Sequence, residues 1–196
     1  MSTITQTTSA DKLSLMHGLL ISLISVVLSV VFWLIDPLLQ FTSWWLGLLT
    51  FAVVIVLLIV LAIDIRKKIG GFWSFGEAFK SLFIMSAIII TINTAYSFVL
   101  FKFIDPDLPE KVNTVMIDKM NTALSNAGLD QAKIDESTKS FTNGEFKAKL
   151  EPNLKNEAMA LGGGLLFYVI VDLIVAASIK KTAPLFAPLT DEETTT

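Results

Sequence analysis

Four long windows of the sequence contain almost no charged residue, and they constrain the fold more than any other feature. The windows cover residues 15–35, 44–63, 82–101 and 158–179, so each holds 20 to 22 residues. At about 1.5 Å per residue, a helix of that length crosses the roughly 30 Å hydrocarbon core of a bilayer. Core helices of soluble proteins are seldom so long and so uniformly apolar. The sequence therefore predicts an all-α, polytopic membrane protein with a bundle of four transmembrane helices.

The polar stretch 102–157 is the only sizeable part of the chain that we expect outside the membrane. From Pro109 onward, apolar residues recur in it at three- and four-residue spacing, which predicts an amphipathic helix that ends near Gly128. A second short helix is expected over 130–140. The stretch is therefore predicted to be a mostly helical insert between the third and fourth transmembrane helices.

The basic residues predict which way the protein faces. The connection between the first and second windows carries none, and the segment that opens the third helix carries four: Arg66, Lys67, Lys68 and Lys80. Because basic loops stay in the cytoplasm, both termini are predicted to be cytoplasmic and the insert extracytoplasmic. The cytoplasmic parts are then the N-terminal segment 1–14 and the C-terminal tail 180–196.

Composition excludes several classes of function. The net charge is −3 and no basic patch carries interleaved aromatic residues, so no nucleic-acid partner is expected. The chain has no cysteine and one histidine, which excludes thiolate and histidine zinc motifs. The glycine-rich segments lack the spacing of phosphate-binding loops. We therefore expect no metal site, no cofactor and no enzymatic activity.

Asp172 is the one acidic residue inside an apolar window. An aspartate at the centre of a transmembrane helix costs about 2.5–3.5 kcal/mol on insertion, so Asp172 is expected to face the bundle. His17, Asn93 and Tyr168 are the candidate partners at comparable depth. Together the four residues form either a polar, proton-responsive pocket or an interhelical hydrogen-bond cluster that fixes helix register. The second interpretation is the favoured one.

Small residues line one face of the first helix, at Ser14, Gly18, Ser22, Ser25 and Ser29. Three consecutive glycines, Gly162, Gly163 and Gly164, lie in the fourth helix. Such faces let two helix backbones approach closely, so both are interpreted as packing surfaces.

The segment after the second helix has the most distinctive local pattern. Ser74 and Glu77 form an S-x-x-E capping box, which predicts that the third helix begins near Phe75. We expect the aromatic rings to lie at the membrane surface and Lys80 to extend to water. This segment is named the elbow, with the candidate residues Gly70, Gly71, Phe72, Trp73, Ser74, Phe75, Glu77 and Lys80. It would either bind lipid headgroups or a partner protein, or simply anchor the third helix, and anchoring is the favoured interpretation.

The basic cluster that begins at Arg66, followed by Gly70-Gly71 and the stretch from Ser74 to Lys80, resembles the signature of a bacterial family. The family is catalogued as domain of unknown function number 4199 and is common in Bacteroidetes. The resemblance implies about four membrane helices, a hydrophilic insert before the last one, and a location in the bacterial cytoplasmic (inner) membrane. It implies no activity and no site residues.

These observations leave three functional hypotheses. The leading one is a structural or accessory membrane protein that acts by association with membrane lipid, with itself as a homo-oligomer, or with another membrane protein. The alternative is a small transporter or proton-responsive permease that uses Asp172. The third is a lipid-modifying membrane enzyme, which would need Asp172 and His17 to work as a pair.

Overall fold

A computed structural model describes residues 2–182, with side chains from residue 10 onward, so residues 183–196 of the predicted tail lie outside the described part. Within that part the chain forms helices and no strand, which confirms the predicted all-α class. The helices are α1 (Ser2–Ile35), α2 (Leu39–Thr42), α3 (Trp44–Lys68), α4 (Phe75–Val99), α5 (Leu108–Asn126), α6 (Gln131–Thr142), α7 (Glu145–Leu150) and α8 (Leu154–Ile179).

Four helices are long and apolar enough to cross a membrane, which confirms the predicted four-helix membrane bundle. The spans are Ala10–Ile35, Trp44–Lys68, Phe75–Ile104 and Leu154–Ile179. The third span is α4 continued by a π-helical turn over Leu100–Ile104. The helices run beyond the apolar windows at their polar ends, because hydrogen bonding along a helix continues through charged residues. The last turn of α3 is the clearest case: it carries three basic residues, which a helix C-terminus favours.

The helix α4 lies at the centre of the bundle. It packs most extensively against α1 and α8 and less against α3, and α1 packs in addition against α3. The core between these helices contains Leu58, Ile65, Leu82, Met85 and Ala176. Among the spans, α8 packs chiefly against α4.

The small-residue face of α1 is where α4 approaches most closely. A Cβ atom added to Gly18 would lie 3.1 Å from the Cα and carbonyl oxygen atoms of Met85. Ser14 and Ser22 are buried there, and each hydroxyl donates to a carbonyl of its own helix. The predicted close packing of α1 is thus confirmed.

The glycines of α8 behave differently from one another. A Cβ atom on Gly164 would lie 3.2 Å from the Ile90 side chain, so α8 approaches α4 closely at that position. Gly162 and Gly163 meet nothing within 4 Å. The packing interpretation therefore holds for Gly164, and for its two neighbours it is wrong within the described chain, because they lie on the outer side of α8.

The insert is a cluster of three helices, α5, α6 and α7. The first two agree with the predicted helices, and α7 is an additional short helix after the turn at Gly144. Gly128 (φ +77°) follows α5, and Asp130 caps α6 by accepting a hydrogen bond from the Lys133 amide at 3.0 Å. Glu110 and Lys147 join α5 to α7 at 2.5 Å, and this carboxylate raises the pKa of the Lys147 ammonium above its ordinary value.

An apolar cluster fixes the insert to the bundle. Leu108 and Val112 of α5 are buried against Leu100 at the end of the third span. Trp33, near the end of α1, packs against the same cluster. The Lys119 ammonium also donates to the Thr42 carbonyl, so that α5 is held against α2. The insert therefore lies directly on one end of the helix bundle.

Candidate functional site

The elbow begins with a sharp turn and a helix cap that follow directly from its sequence. Gly70 (φ +107°) and Gly71 (φ +84°) adopt left-handed backbone conformations, which residues with a Cβ atom rarely tolerate. The Ser74 hydroxyl accepts a hydrogen bond from the Glu77 amide at 3.3 Å. In return the Glu77 carboxylate accepts one from the Ser74 amide at 3.0 Å. The predicted capping box is confirmed, and α4 begins at Phe75.

The elbow and the end of α3 also form hydrogen bonds at the C-terminal end of α8. The Trp73 amide donates to the Lys181 carbonyl at 2.7 Å, and the Lys181 amide donates to the Trp73 carbonyl at 2.9 Å. The guanidinium of Arg66 donates to the Ile179 carbonyl at 2.7 Å. Carbonyl groups at a helix C-terminus lack partners within the helix, so Arg66 satisfies one of them. Three helix ends, those of α3, α4 and α8, thus meet at the elbow.

The aromatic side chains of the elbow divide into exposed and buried groups. Phe72 is 46% exposed and Phe75 39%, in accord with a position at the membrane surface. Trp73 is only 1% exposed, so the expectation that its ring lies at the surface is wrong. The Trp73 backbone pairs with Lys181, and the indole ring lies in the apolar core of the bundle. Phe79 is half-buried and stacks between Phe75 and Phe83.

The charges of the elbow are partly neutralised by neighbouring acids. Lys80 reaches water, with its side chain 51% exposed, and forms an ion pair there with Asp11 at 2.7 Å; Lys68 forms one with Asp64 at 2.7 Å. The other basic groups of this end make no ion pair with any residue that the structure describes; they are Lys12, Arg66, Lys67, Lys180 and Lys181.

A cavity of about 280 Å³ lies between the elbow, the start of α4 and Lys181. Phe72, Ser74, Glu77 and Lys80 line it from the elbow, Asp11 lines it from α1, and Lys181 and Thr182 line it from the chain beyond α8. The Lys181 ammonium also lies 5.8 Å from the centre of the Phe72 ring. Asp11 already pairs with Lys80, and Glu77 caps α4, so the Lys181 ammonium beside the exposed Phe72 ring is the cationic group of the cavity that makes no ion pair within the described residues.

Asp172 is completely buried between α4 and α8, so it faces the bundle as predicted. The Ser86 hydroxyl donates to its Oδ1 atom at 2.9 Å. Its Oδ2 atom has no hydrogen-bond partner within the described residues. Ser86 is not one of the four candidates, although it lies on the same face of the third helix as Asn93, seven residues earlier, and that position is the sequence signal that points to it.

The other three candidates do not hydrogen-bond Asp172 within residues 10–182. His17 lies 3.5 Å from the Asp64 carboxylate, toward the elbow. Asn93 donates to the Ser25 hydroxyl at 2.9 Å, between α4 and α1. Tyr168 packs against the apolar core. The four candidates therefore do not form one cluster. The polar contacts are Asp172 with Ser86, His17 with Asp64, and Asn93 with Ser25, because each of these residues lies on a different helix face.

A metal site is not apparent in the described part of the chain. No group of three or more histidine, cysteine, aspartate or glutamate side chains there is placed to hold a metal ion.

A molecule with an apolar outer surface along four helices of membrane-crossing length belongs to the class of helical, membrane-embedded proteins. Within this class, the family described as "Protein of unknown function (DUF4199)" has a model that matches residues 16–181. The chain belongs to this family, which confirms the resemblance that the elbow sequence carries. No curated protein and no solved structure matches the chain.

Proposed function

We propose that this protein is a non-enzymatic accessory component of the bacterial cytoplasmic membrane that acts by binding anionic phospholipid at the elbow. The observation that carries the proposal is the Lys181 ammonium, which makes no ion pair within the described residues and lies beside the exposed Phe72 ring at the elbow cavity. Lys67 and Lys181 supply charge, and Phe72 and Phe75 supply apolar surface at the same end of the bundle.

Each part of this arrangement matches one part of a phospholipid. A basic side chain near an anionic membrane surface is worth about 1 kcal/mol, and basic pockets between helix ends suit phosphate headgroups. Exposed aromatic rings prefer the boundary between headgroups and acyl chains. Lys68 and Lys80 contribute less, because Asp64 and Asp11 already neutralise them.

Hydrogen bonds within the protein hold the backbone of the elbow in place without a bound lipid. The pairing of Trp73 with Lys181 holds the Lys181 ammonium near Phe72, and the capping box holds Ser74 at the cavity. A site that is already ordered loses little conformational entropy on binding, which favours affinity. This rigidity supports a binding role in addition to the anchoring of α4.

The proposal includes an orientation. The elbow and both termini face the cytoplasm, and the insert faces the opposite side. The basic residues at the ends of α3 and α8 support this orientation, since such residues are retained on the cytoplasmic side. The exposed Trp44 (79%) and Trp45 would then mark the opposite membrane surface.

A double variant, Lys67→Gln with Lys181→Gln, tests the lipid proposal. The full-length protein is reconstituted with equal amounts of phosphatidylglycerol and phosphatidylcholine and examined by native mass spectrometry. The parent protein should retain phosphatidylglycerol preferentially. Loss of two ammonium groups should reduce this preference roughly 30-fold, at about 1 kcal/mol for each base.

The matched control is Lys133→Gln with Lys139→Gln, which removes two exposed lysines from α6 at the other end of the molecule. This control should retain phosphatidylglycerol as the parent does. Equal retention by the elbow variant and the parent, or equal loss in both double variants, would contradict the proposal.

A further inference from the structure

A second cavity, of about 500 Å³, lies between the four spans toward the insert. All four spans contribute to its wall: Ser25 from α1, Thr50 from α3, Asn93 from α4 and Glu157 from α8. Its volume is in the range of small-molecule sites, roughly 300–1,000 Å³. The residues that line it include neither Asp172 nor any residue of the elbow.

Polar side chains line this cavity beside its apolar ones. The Thr50 hydroxyl donates to the Leu46 carbonyl at 2.9 Å, and the Gln40 amide nitrogen donates to the Ser29 carbonyl at 3.0 Å. Thr50 is therefore left as an acceptor, whereas Gln40 keeps one N–H and its oxygen atom. These neutral groups can accept from a ligand and donate to it, so the charge of the lining decides which ligand is favoured.

The lining includes one carboxylate, that of Glu157, and the described residues that line it include no lysine or arginine. Glu157 is half-buried and makes no ion pair with any residue in the described part of the chain. It lies in the first turn of α8, where the helix dipole stabilises a negative charge. The cavity therefore holds an unneutralised anion at the edge of the membrane span.

Three aromatic rings complete the wall, those of Phe41, Phe51 and Tyr168. The face of an aromatic ring attracts a cation, and the attraction is stronger where water is excluded. A carboxylate together with aromatic rings forms the chemistry that recognises an organic ammonium group. An uncharged acyl chain would leave the Glu157 carboxylate without a partner.

We propose that the cavity is a binding site for a small organic cation, a quaternary ammonium group with short substituents. Glu157 neutralises the charge, and the aromatic rings surround the ammonium group. The proposal does not depend on lipid binding at the elbow, which lies at the opposite end of the bundle.

The first test compares a cation with an uncharged molecule of the same shape. Radiolabelled choline is equilibrated by dialysis with the full-length protein in maltoside micelles, which contain no choline headgroup. Unlabelled choline and tetraethylammonium should displace the label. The alcohol 3,3-dimethylbutan-1-ol, in which carbon replaces the choline nitrogen, should displace it only weakly.

Two variants then test the site itself. Glu157→Gln removes the charge and keeps the side-chain size, so choline affinity should fall at least about tenfold. Gly47 lines the cavity, and a Cβ atom there would meet nothing within 4 Å. Gly47→Leu therefore places a side chain in open space at the cavity wall and should abolish binding without disturbing the packing.

The matched controls are Glu151→Gln, an exposed acid outside the cavity, and Gly163→Leu on the outer side of α8. Both should bind choline as the parent does, and so should the Lys67→Gln, Lys181→Gln variant of the elbow. The proposal is overturned if the parent binds neither cation or if the neutral alcohol competes equally. Parent-like choline binding in both Glu157→Gln and Gly47→Leu would overturn it as well.

Discussion

The hydrogen bond from Ser86 to Asp172 joins α4 to α8 at a point that solvent does not reach. Inside a membrane, hydrogen bonds between helices are typically worth about 0.6–2 kcal/mol, and a buried polar group without a partner is costly. This one contact therefore favours a single register of α8 along α4. The apolar residues around it would tolerate several registers.

Removal of the donor should weaken the bundle. Ser86→Ala leaves the Asp172 carboxyl group without its partner, so the free energy of unfolding should fall by about 1–2 kcal/mol. Asp172→Asn should cost less, because its side-chain oxygen still accepts from Ser86. Reversible unfolding in mixed dodecyl sulfate and maltoside micelles measures the change.

The control for this prediction is Ser178→Ala. The Ser178 hydroxyl donates only to the Ile174 carbonyl of its own helix, on an exposed face. Its removal should change the free energy of unfolding by less than about 0.5 kcal/mol. A parent-like stability of Ser86→Ala would show that the contact does not hold α8 in place.

At the scale of elements, the contact between α1 and α4 depends on the absence of side chains. Gly18 faces the backbone of Met85, and neighbouring serines direct their hydroxyl groups back to their own helix. The two helices can therefore approach without burying an unpaired polar group. In a bilayer this van der Waals contact is a main source of helix association.

A larger residue at Gly18 should separate the two helices. Gly18→Leu places atoms where the Met85 backbone lies, and overpacking of this kind typically costs about 1–3 kcal/mol. Gly162→Leu is the matched control, because a side chain at that position enters open space. Thermal unfolding in the same detergent should distinguish the two, and equal melting temperatures would contradict the close contact.

At the scale of the whole molecule, the four spans and the start of α4 could be predicted, because each depends on neighbouring residues in the chain. The capping box of Ser74 and Glu77 is contained within four residues. The burial of Trp73 could not be predicted, since it depends on Lys181 at the far end of the chain. The separation of Asn93 from Asp172 likewise follows from helix order and rotation, which apolar windows do not specify.

The proposed orientation can be tested directly, because the chain contains no cysteine. Lys67→Cys places one thiol at the elbow, and Lys139→Cys places one on the insert. In spheroplasts of a bacterial host, a membrane-impermeant maleimide should label Lys139→Cys at once and Lys67→Cys only after lysis. The reverse pattern would place the termini outside the cytoplasm.

The hydrogen bonds that Arg66 and Trp73 make at the end of α8 have a consequence for biosynthesis. Arg66 and Trp73 leave the ribosome long before Ile179 and Lys181, and their shared contacts exist only after the final span has been threaded. A nascent chain that stops before α8 therefore lacks one wall of the elbow cavity. Occupancy of that cavity by phospholipid would then report that membrane insertion is complete, and a cell would have a chemical mark that separates finished molecules from stalled ones.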